Sequence, residues 1–116
     1  MRYERDVRRT ALVILVAACS GERAGSSVDG ADLYARFCAT CHGPTGKPDP
    51  TMIARLGVRD LTAPEFRVKV SYALVETQVR QGSQNKLMPA FAGAFTDEQI
   101  AALAKYVSDP SFVKKP

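Results

Sequence analysis

The chain has few of the residues from which metal and catalytic sites are usually built. Its 116 residues contain one histidine, His42, and three cysteines. A structural zinc site takes four protein ligands, and the close pair Cys38 and Cys41 has no second cysteine pair to complete such a set. The sequence also shows no nucleophile–base pair and no carboxylate dyad, so it does not indicate an independent catalytic site.

Long hydrophobic runs and strand patterns are missing as well. The apolar run of residues 11–18 has eight residues, far short of the ~20 that span a bilayer. We find no strand-like alternation of polar and apolar residues, no internal repeat and no glycine-rich phosphate loop. A length of 116 residues with 24% charged residues allows one domain.

The apolar run has the features of a signal-peptide core behind a positively charged start. It ends in Val16-Ala17-Ala18-Cys19, which resembles the lipobox of bacterial lipoproteins. The resemblance implies that residues 1–18 are a signal peptide and that Cys19 is lipidated after cleavage. The alternative is an ordinary signal peptide with an incidental cysteine, although an unpaired thiol is a liability in an oxidising compartment.

Processing would change the charge of the protein. Residues 1–18 carry four arginines and two acids, so the mature chain would have 12 Lys and Arg against 10 Asp and Glu, a net charge of +2 instead of +4. The basic character is therefore mostly a property of the leader, and no nucleic-acid partner is indicated. Residues 20–28 are small and polar, and we expect residues 19–29 to hold the lipidated cysteine and a flexible tether.

The most informative motif is Cys38-Ala39-Thr40-Cys41-His42, the C-x-x-C-H signature of a covalently attached c-type haem. Two thiols add to the two vinyl groups of one porphyrin, and the next residue offers an imidazole to the iron. Positions three and four apart share one face of a helix, so all three side chains would project together. A thioredoxin-like pair would instead need a preceding strand, whereas residues 30–39 read as helix.

Helical patterns account for most of the remaining chain. Asp29 is a good N-cap for a helix over residues 30–39, and residues 51–56 favour a short turn of helix. Ser71 would cap a helix over residues 72–81 that stops at Gly82, and Thr96 with Gln99 forms a capping box for the last helix. That helix has an apolar stripe at Ile100, Leu103, Ala104 and Val107, and ends at Asp109-Pro110.

The second axial ligand of the iron has two candidates. No other histidine is available, and Met1 would leave with the signal peptide, so Met52 and Met88 remain. Met52 follows His42 closely through a proline-rich turn, whereas Met88 lies far along the chain on an apolar loop braced by Pro89. That separation would allow the chain to reach the opposite haem face, so we favour Met88; the alternative is that Met88 only fills a hydrophobic gap.

The loop of residues 43–50 is rich in glycine and proline and must turn the chain beside His42. We expect a backbone carbonyl of this loop to accept the second imidazole N–H, which would fix the ring. Pro50 is the candidate for shaping that contact.

Residues 30–116 resemble class I monohaem c-type cytochromes. The matching features are Gly30 and Tyr34, the C-x-x-C-H motif followed by Gly43, and the sequences Asp60-Leu61-Thr62, Met88-Pro89-Ala90-Phe91 and the closing helix through Tyr106. The resemblance implies an all-α small cytochrome c fold with three to five helices around one covalent haem c. It also implies thioether bonds at Cys38 and Cys41, axial ligation by His42 and Met88, and a crossing of the first and last helices, with Gly30 and Tyr34 against Leu103 and Tyr106.

The resulting hypothesis is a membrane-tethered, single-haem electron carrier on the periplasmic side of a bacterial membrane. Its partners would be a redox donor and acceptor, with a lipid anchor and no small-molecule substrate. One alternative is a dedicated cytochrome subunit of a periplasmic oxidoreductase. A second alternative is a haem sensor or peroxidase-like protein whose sixth ligand is displaceable.

Overall fold

The computed structural model describes residues 25–114, which contain six α-helices and a closing 3₁₀ helix joined by loops. The helices are α1 Gly30–Phe37, α2 Ala39–His42, α3 Pro50–Leu56, α4 Pro64–Arg67, α5 Tyr72–Gln81 and α6 Asp97–Ser108, followed by the 3₁₀ helix Pro110–Lys114. Within these residues there is no β-strand, only an isolated bridge between Ala92 and Phe95. The predicted all-α fold is confirmed, and the single-turn helices α2 and α4 bring the count above the three to five expected. The predicted signal peptide of residues 1–18 and the predicted lipidation site Cys19 lie outside the described residues.

Side-chain caps begin the longer helices where the sequence predicts them. The Asp29 carboxylate accepts the backbone N–H of Ala31 at 2.9 Å, and the Ser71 hydroxyl accepts that of Leu74 at 3.1 Å. Thr96 and Gln99 form both bonds of the predicted capping box. These bonds satisfy backbone donors that have no partner within their own helix.

Helices α1 and α6 cross at a glycine. A Cβ atom at Gly30 would collide with the carbonyl oxygen of Ala102 and would lie 2.7 Å from the Cβ of Tyr106. Tyr34, one turn further along α1, packs its ring against Tyr106 with 5.6 Å between the centroids. The expected meeting with Tyr106 is therefore observed, and Leu103 is buried in the same core.

The C-terminal 3₁₀ helix completes an aromatic cluster beneath this crossing. Phe112 lies edge-on to both Tyr34 and Tyr106, with centroid distances of 5.4 and 5.3 Å. Its ring also packs on Gly46 in the loop after α2. The 3₁₀ helix thus packs against the loop that follows His42.

A second contact joins α5 to α6. Val75 and Val79 of α5 are buried in one core with the apolar stripe of α6, which comprises Ile100, Leu103, Ala104 and Val107. Residues 82–96 contain no helix. Their second half folds back over the end of α5, where Phe91 and Ala92 donate to the carbonyls of Val79 and Arg80 at 2.9 and 3.3 Å.

The residues just before α1 are bonded to the domain. The Gln99 side chain, which is buried, donates to the carbonyls of Gly25 and Ser27 at 3.2 and 2.9 Å. This part of the predicted tether therefore lies against the start of α6.

Candidate functional site

The C-x-x-C-H motif occupies one helical turn set off from α1. Cys38 ends α1 and begins α2, and its carbonyl accepts the N–H groups of Cys41 at 3.2 Å and His42 at 2.9 Å. The helix predicted to continue to Ala39 therefore pauses at Cys38 and resumes. Because the bonds within residues 38–42 remain helical, the side chains of positions 38, 41 and 42 keep the spacing of one face.

The two cysteines are half-buried and form no disulfide bond. Burial, with a smaller contribution from the neighbouring Cys41, raises the pKa of the Cys38 thiol to about 11. Before haem attachment, the Cys38 sulfur would therefore be protonated at neutral pH. Among residues 25–114, no group of three or more Cys, His, Asp or Glu side chains is placed to hold a metal ion.

The imidazole of His42 is held by a carbonyl that the sequence does not point to. Its Nδ1 lies 3.0 Å from the carbonyl oxygen of Arg59. The expectation of a partner within residues 43–50 is therefore wrong, because that loop bends back at Gly43 and Pro50 becomes the first residue of α3. The partner comes instead from the next loop, which lies beside it.

This contact determines the chemistry of the ring. A carbonyl oxygen has no proton to give, so Nδ1 must donate and the lone pair resides on Nε2. Burial lowers the pKa of His42, and the bond to Arg59 opposes that shift. A neutral imidazole with a free Nε2 lone pair is the form that binds iron.

Neighbouring bonds keep the Arg59 segment in place. The N–H of Leu61 donates to the carbonyl of Gly46 at 2.8 Å, which joins the two loops. The carboxylate of Asp60 accepts the backbone N–H of Thr62 at 2.8 Å and its hydroxyl at 2.6 Å. The Asp60-Leu61-Thr62 sequence therefore forms a closed turn immediately after the carbonyl that binds His42.

The residue after His42 is fixed from the other side. Gly43 has a φ of 81°, and a side chain there would collide with the backbone of Lys47. The buried hydroxyl of Tyr34 donates to the Gly43 carbonyl at 2.7 Å. Helix α1 thus positions both ends of the turn that carries the motif.

Met88 is presented by a small loop that is bonded to itself. Its N–H donates to the hydroxyl of Ser83 at 3.0 Å, and its carbonyl accepts the N–H of Ser83 at 3.0 Å. The side chain of Asn85 accepts from Ser83 and from Leu87, at 2.6 and 3.1 Å. The Met88 side chain is half-buried and packs against the core.

Met52 stands in a different setting. It lies in the first turn of α3, where its N–H donates to the carbonyl of Asp49 at 2.9 Å. The Met52 side chain is half-buried. Its backbone is therefore committed to helix, whereas Met88 lies on an irregular loop.

The chemistry of these residues suits a flat apolar group with a central metal. A thiol pair, a neutral imidazole and a thioether match the attachment and axial positions of haem c. Apolar side chains next to these residues are uncovered: Phe37 before Cys38 is 37% exposed, and Leu87 before Met88 is 54% exposed. A porphyrin is the kind of group that would cover such side chains.

Sequence reasoning named the side chains with distinctive chemistry but not the groups that hold them in place. Arg59 gave no signal because it contributes only a carbonyl, which every residue has. The bond between Ser83 and Asn85 could have been expected, because Ser and Asn side chains often form hydrogen bonds that close turns.

Among the helices of residues 25–114, none has both the length and the apolar composition that a membrane span requires.

Comparison with known proteins gives the family of this chain. Residues 26–107 match the family profile described as cytochrome c oxidase, cbb3-type, subunit III. Cytochrome c6 of Thermosynechococcus vestitus is 32% identical over 99 residues, which cover 85% of this chain and 83% of that protein.

Two further similarities differ in extent. The fructose dehydrogenase cytochrome subunit of Gluconobacter japonicus is 31% identical over 106 residues, covering 79% of this chain and 21% of that subunit. The solved structure of the c-type cytochrome KustC0563 has a TM-score of 0.61 and 32% identity, and the match covers 69% of this chain and 94% of that one.

Proposed function

This chain belongs to the cytochrome c family, and we propose that it is a single-haem electron carrier held at the periplasmic side of a bacterial membrane by a lipid on Cys19. Its cofactor is covalently attached haem c. When bound, the haem iron supplies reversible one-electron chemistry.

We assign the residues that hold the haem as follows. Cys38 and Cys41 would form the thioether bonds, and Nε2 of His42 would ligate the iron. Met88 would supply the opposite ligand, a neutral sulfur that raises the reduction potential. The observation that carries the proposal is the bond from His42 Nδ1 to the carbonyl of Arg59, because it fixes the ring with its lone pair on Nε2.

Met88→Ala tests the ligand assignment, with Met52→Ala as its matched control. Met88→Ala should keep covalent haem, because the motif of residues 38–42 is untouched. It should lose the far-red sulfur-to-iron absorption of the ferric protein and lower the reduction potential. Met52→Ala should retain both properties.

The reverse result would overturn the assignment. If Met52→Ala abolishes the far-red band while Met88→Ala keeps it, Met52 is the ligand. If neither substitution changes the spectrum, the iron has no methionine ligand.

The anchor requires its own test because Cys19 lies outside the described residues. The resemblance of residues 16–19 to a lipobox supports lipidation. Mass spectrometry of the native protein should find a chain that begins at Cys19 and carries acyl groups. An unmodified Cys19 would leave a carrier without a lipid anchor.

A second candidate function is a cytochrome subunit of an oxidoreductase. It is favoured by the similarity to the fructose dehydrogenase cytochrome subunit and by the match to the family described as cytochrome c oxidase, cbb3-type, subunit III. Native purification under mild detergent distinguishes the two. A dedicated subunit would elute with a partner in fixed stoichiometry, whereas a carrier would elute alone.

A further inference from the structure

The side chain of Arg67 connects two parts of the molecule that are distant in sequence. Arg67 is the last residue of α4, and its guanidinium donates to the carbonyls of Val107 at 2.9 Å and Asp109 at 3.0 Å. It also donates to the carbonyl of Leu61 at 3.3 Å. One side chain therefore joins the end of α6 to the loop that carries Arg59.

The guanidinium is fixed in its orientation. It lies 5.4 Å from the ring centroid of Phe112 and 5.9 Å from that of Phe66, and both rings are buried. Burial lowers the pKa of Arg67, and Asp109 opposes this shift. A guanidinium stays protonated in proteins, so Arg67 offers a planar set of charged donors to these carbonyls. The carbonyls lie at the C-terminus of α6, where the helix dipole favours a positive charge.

The Leu61 contact is close to the site in sequence and in space. Leu61 follows Arg59 by two residues, and the carbonyl of Arg59 accepts the Nδ1 proton of His42. The N–H of Leu61 donates to the carbonyl of Gly46, and the carbonyl of Leu61 accepts from the guanidinium of Arg67. Without Arg67, the carbonyl side of this segment would lose its link to α6.

We propose that Arg67 is a positioning residue for the imidazole of His42, acting through the segment of residues 59–61. By holding that segment against α6, it keeps the Arg59 carbonyl at hydrogen-bond distance from Nδ1. The proposal rests on the assignment of His42 as an axial ligand. A carbonyl partner on the second ring nitrogen raises the basicity of a ligating histidine, so loosening it should favour ferrous iron.

Arg67→Lys separates positioning from charge. Lysine keeps the positive charge but cannot form the planar set of bonds to several carbonyls. The reduction potential of Arg67→Lys should rise, and the Nδ1 proton of His42 should exchange with solvent several-fold faster in NMR spectra of the ferrous protein. Arg67→Met should show the same faster exchange of the His42 proton. Its reduction potential should rise less than that of Arg67→Lys, because the loss of a positive charge lowers the potential.

Arg80 provides the matched control. Its guanidinium pairs with Asp97 at 2.9 Å on the surface, where it joins α5 to the start of α6. Arg80→Lys should leave both the potential and the exchange of the His42 proton unchanged.

Specific outcomes would overturn the proposal. If Arg67→Lys matches the wild type in both measurements while Arg67→Met lowers the potential, Arg67 acts through its charge alone. If the variants lose thermal stability but keep the wild-type exchange rate, its role is only structural. If wild-type His42 carries no iron-shifted proton signals in the ferric state, the ligand assignment itself fails and the proposal fails with it.

Discussion

At the scale of single residues, Tyr34 connects the hydrophobic core to the C-x-x-C-H turn. Its ring is 2% exposed and packs against Tyr106 and Phe112, while its hydroxyl donates to the Gly43 carbonyl. Burial raises the pKa of this phenol well above its ordinary value of 10.0. One side chain thus contributes packing and satisfies a buried carbonyl beside His42.

Tyr34→Phe should destabilise the protein while preserving its shape. Phenylalanine keeps the ring contacts but removes the bond to the buried Gly43 carbonyl, which then retains only the N–H of Gly46 at 3.2 Å. We expect a loss of about 0.5–1.5 kcal/mol in the free energy of unfolding. Chemical denaturation at neutral pH measures this loss. Tyr72→Phe, at a side chain 44% exposed, is the control and should have little effect.

The same residue gives a prediction for alkaline pH. In the unfolded chain Tyr34 releases its proton near pH 10, whereas the folded protein retains it because its pKa is raised. The unfolded state is therefore favoured as pH rises above about 10, and the free energy of unfolding should fall. This part of the decline should be absent in Tyr34→Phe; an identical pH profile for both proteins would contradict it.

Residues with rare chemistry were predictable, and generic backbone groups were not. The spacing of Cys38, Cys41 and His42 has a specific chemical meaning, so sequence alone points to haem. The carbonyl of Arg59 has no such signature, because any residue brought to that place could supply it. The loop that provides it is chosen by tertiary contacts such as the bond between Leu61 and Gly46.

At the scale of elements, the helices with strong caps were predicted well. Asp29, Ser71 and the pair Thr96 and Gln99 satisfy backbone donors through their own side chains, so the sequence contains the start signal. Helix α4 has no side-chain cap and has four residues, and the 3₁₀ helix of residues 110–114 has five. Both were missed because burial of Phe66 and Phe112, rather than local preference, holds them.

Gly30→Ala tests the crossing of α1 and α6. Alanine is the better helix former by up to about 1 kcal/mol, but its Cβ would press on the backbone of Ala102 and on Tyr106. We expect a loss of about 1–3 kcal/mol in the free energy of unfolding, measured by denaturation.

Ala35 is a matched position on the same helix. It is exposed, so Ala35→Gly should cost about 1 kcal/mol from helix propensity alone. A stabilised Gly30→Ala would show that the two helices do not meet closely at this glycine.

At the scale of the whole molecule, the buried core leaves several large apolar side chains exposed. The buried cluster is centred on α1, α5 and α6, and Cys38 and Met88 lie at its border, half-buried. Large apolar side chains such as Leu74 and Leu87 remain 41% and 54% exposed. A domain of this size buries little apolar surface by itself, so a covalently held macrocycle would serve as a core component.

The central claim is that the mature protein carries one haem with both axial positions filled and transfers single electrons. Spectroscopic redox titration of the purified holoprotein, combined with a haem-to-protein ratio and exposure of the ferrous form to carbon monoxide, tests it most directly. The account predicts one haem per chain, a reversible one-electron transition and no binding of carbon monoxide under mild conditions. Ready binding of carbon monoxide by the wild type would contradict it, because an open iron is the property of a sensor or a peroxidase-like protein.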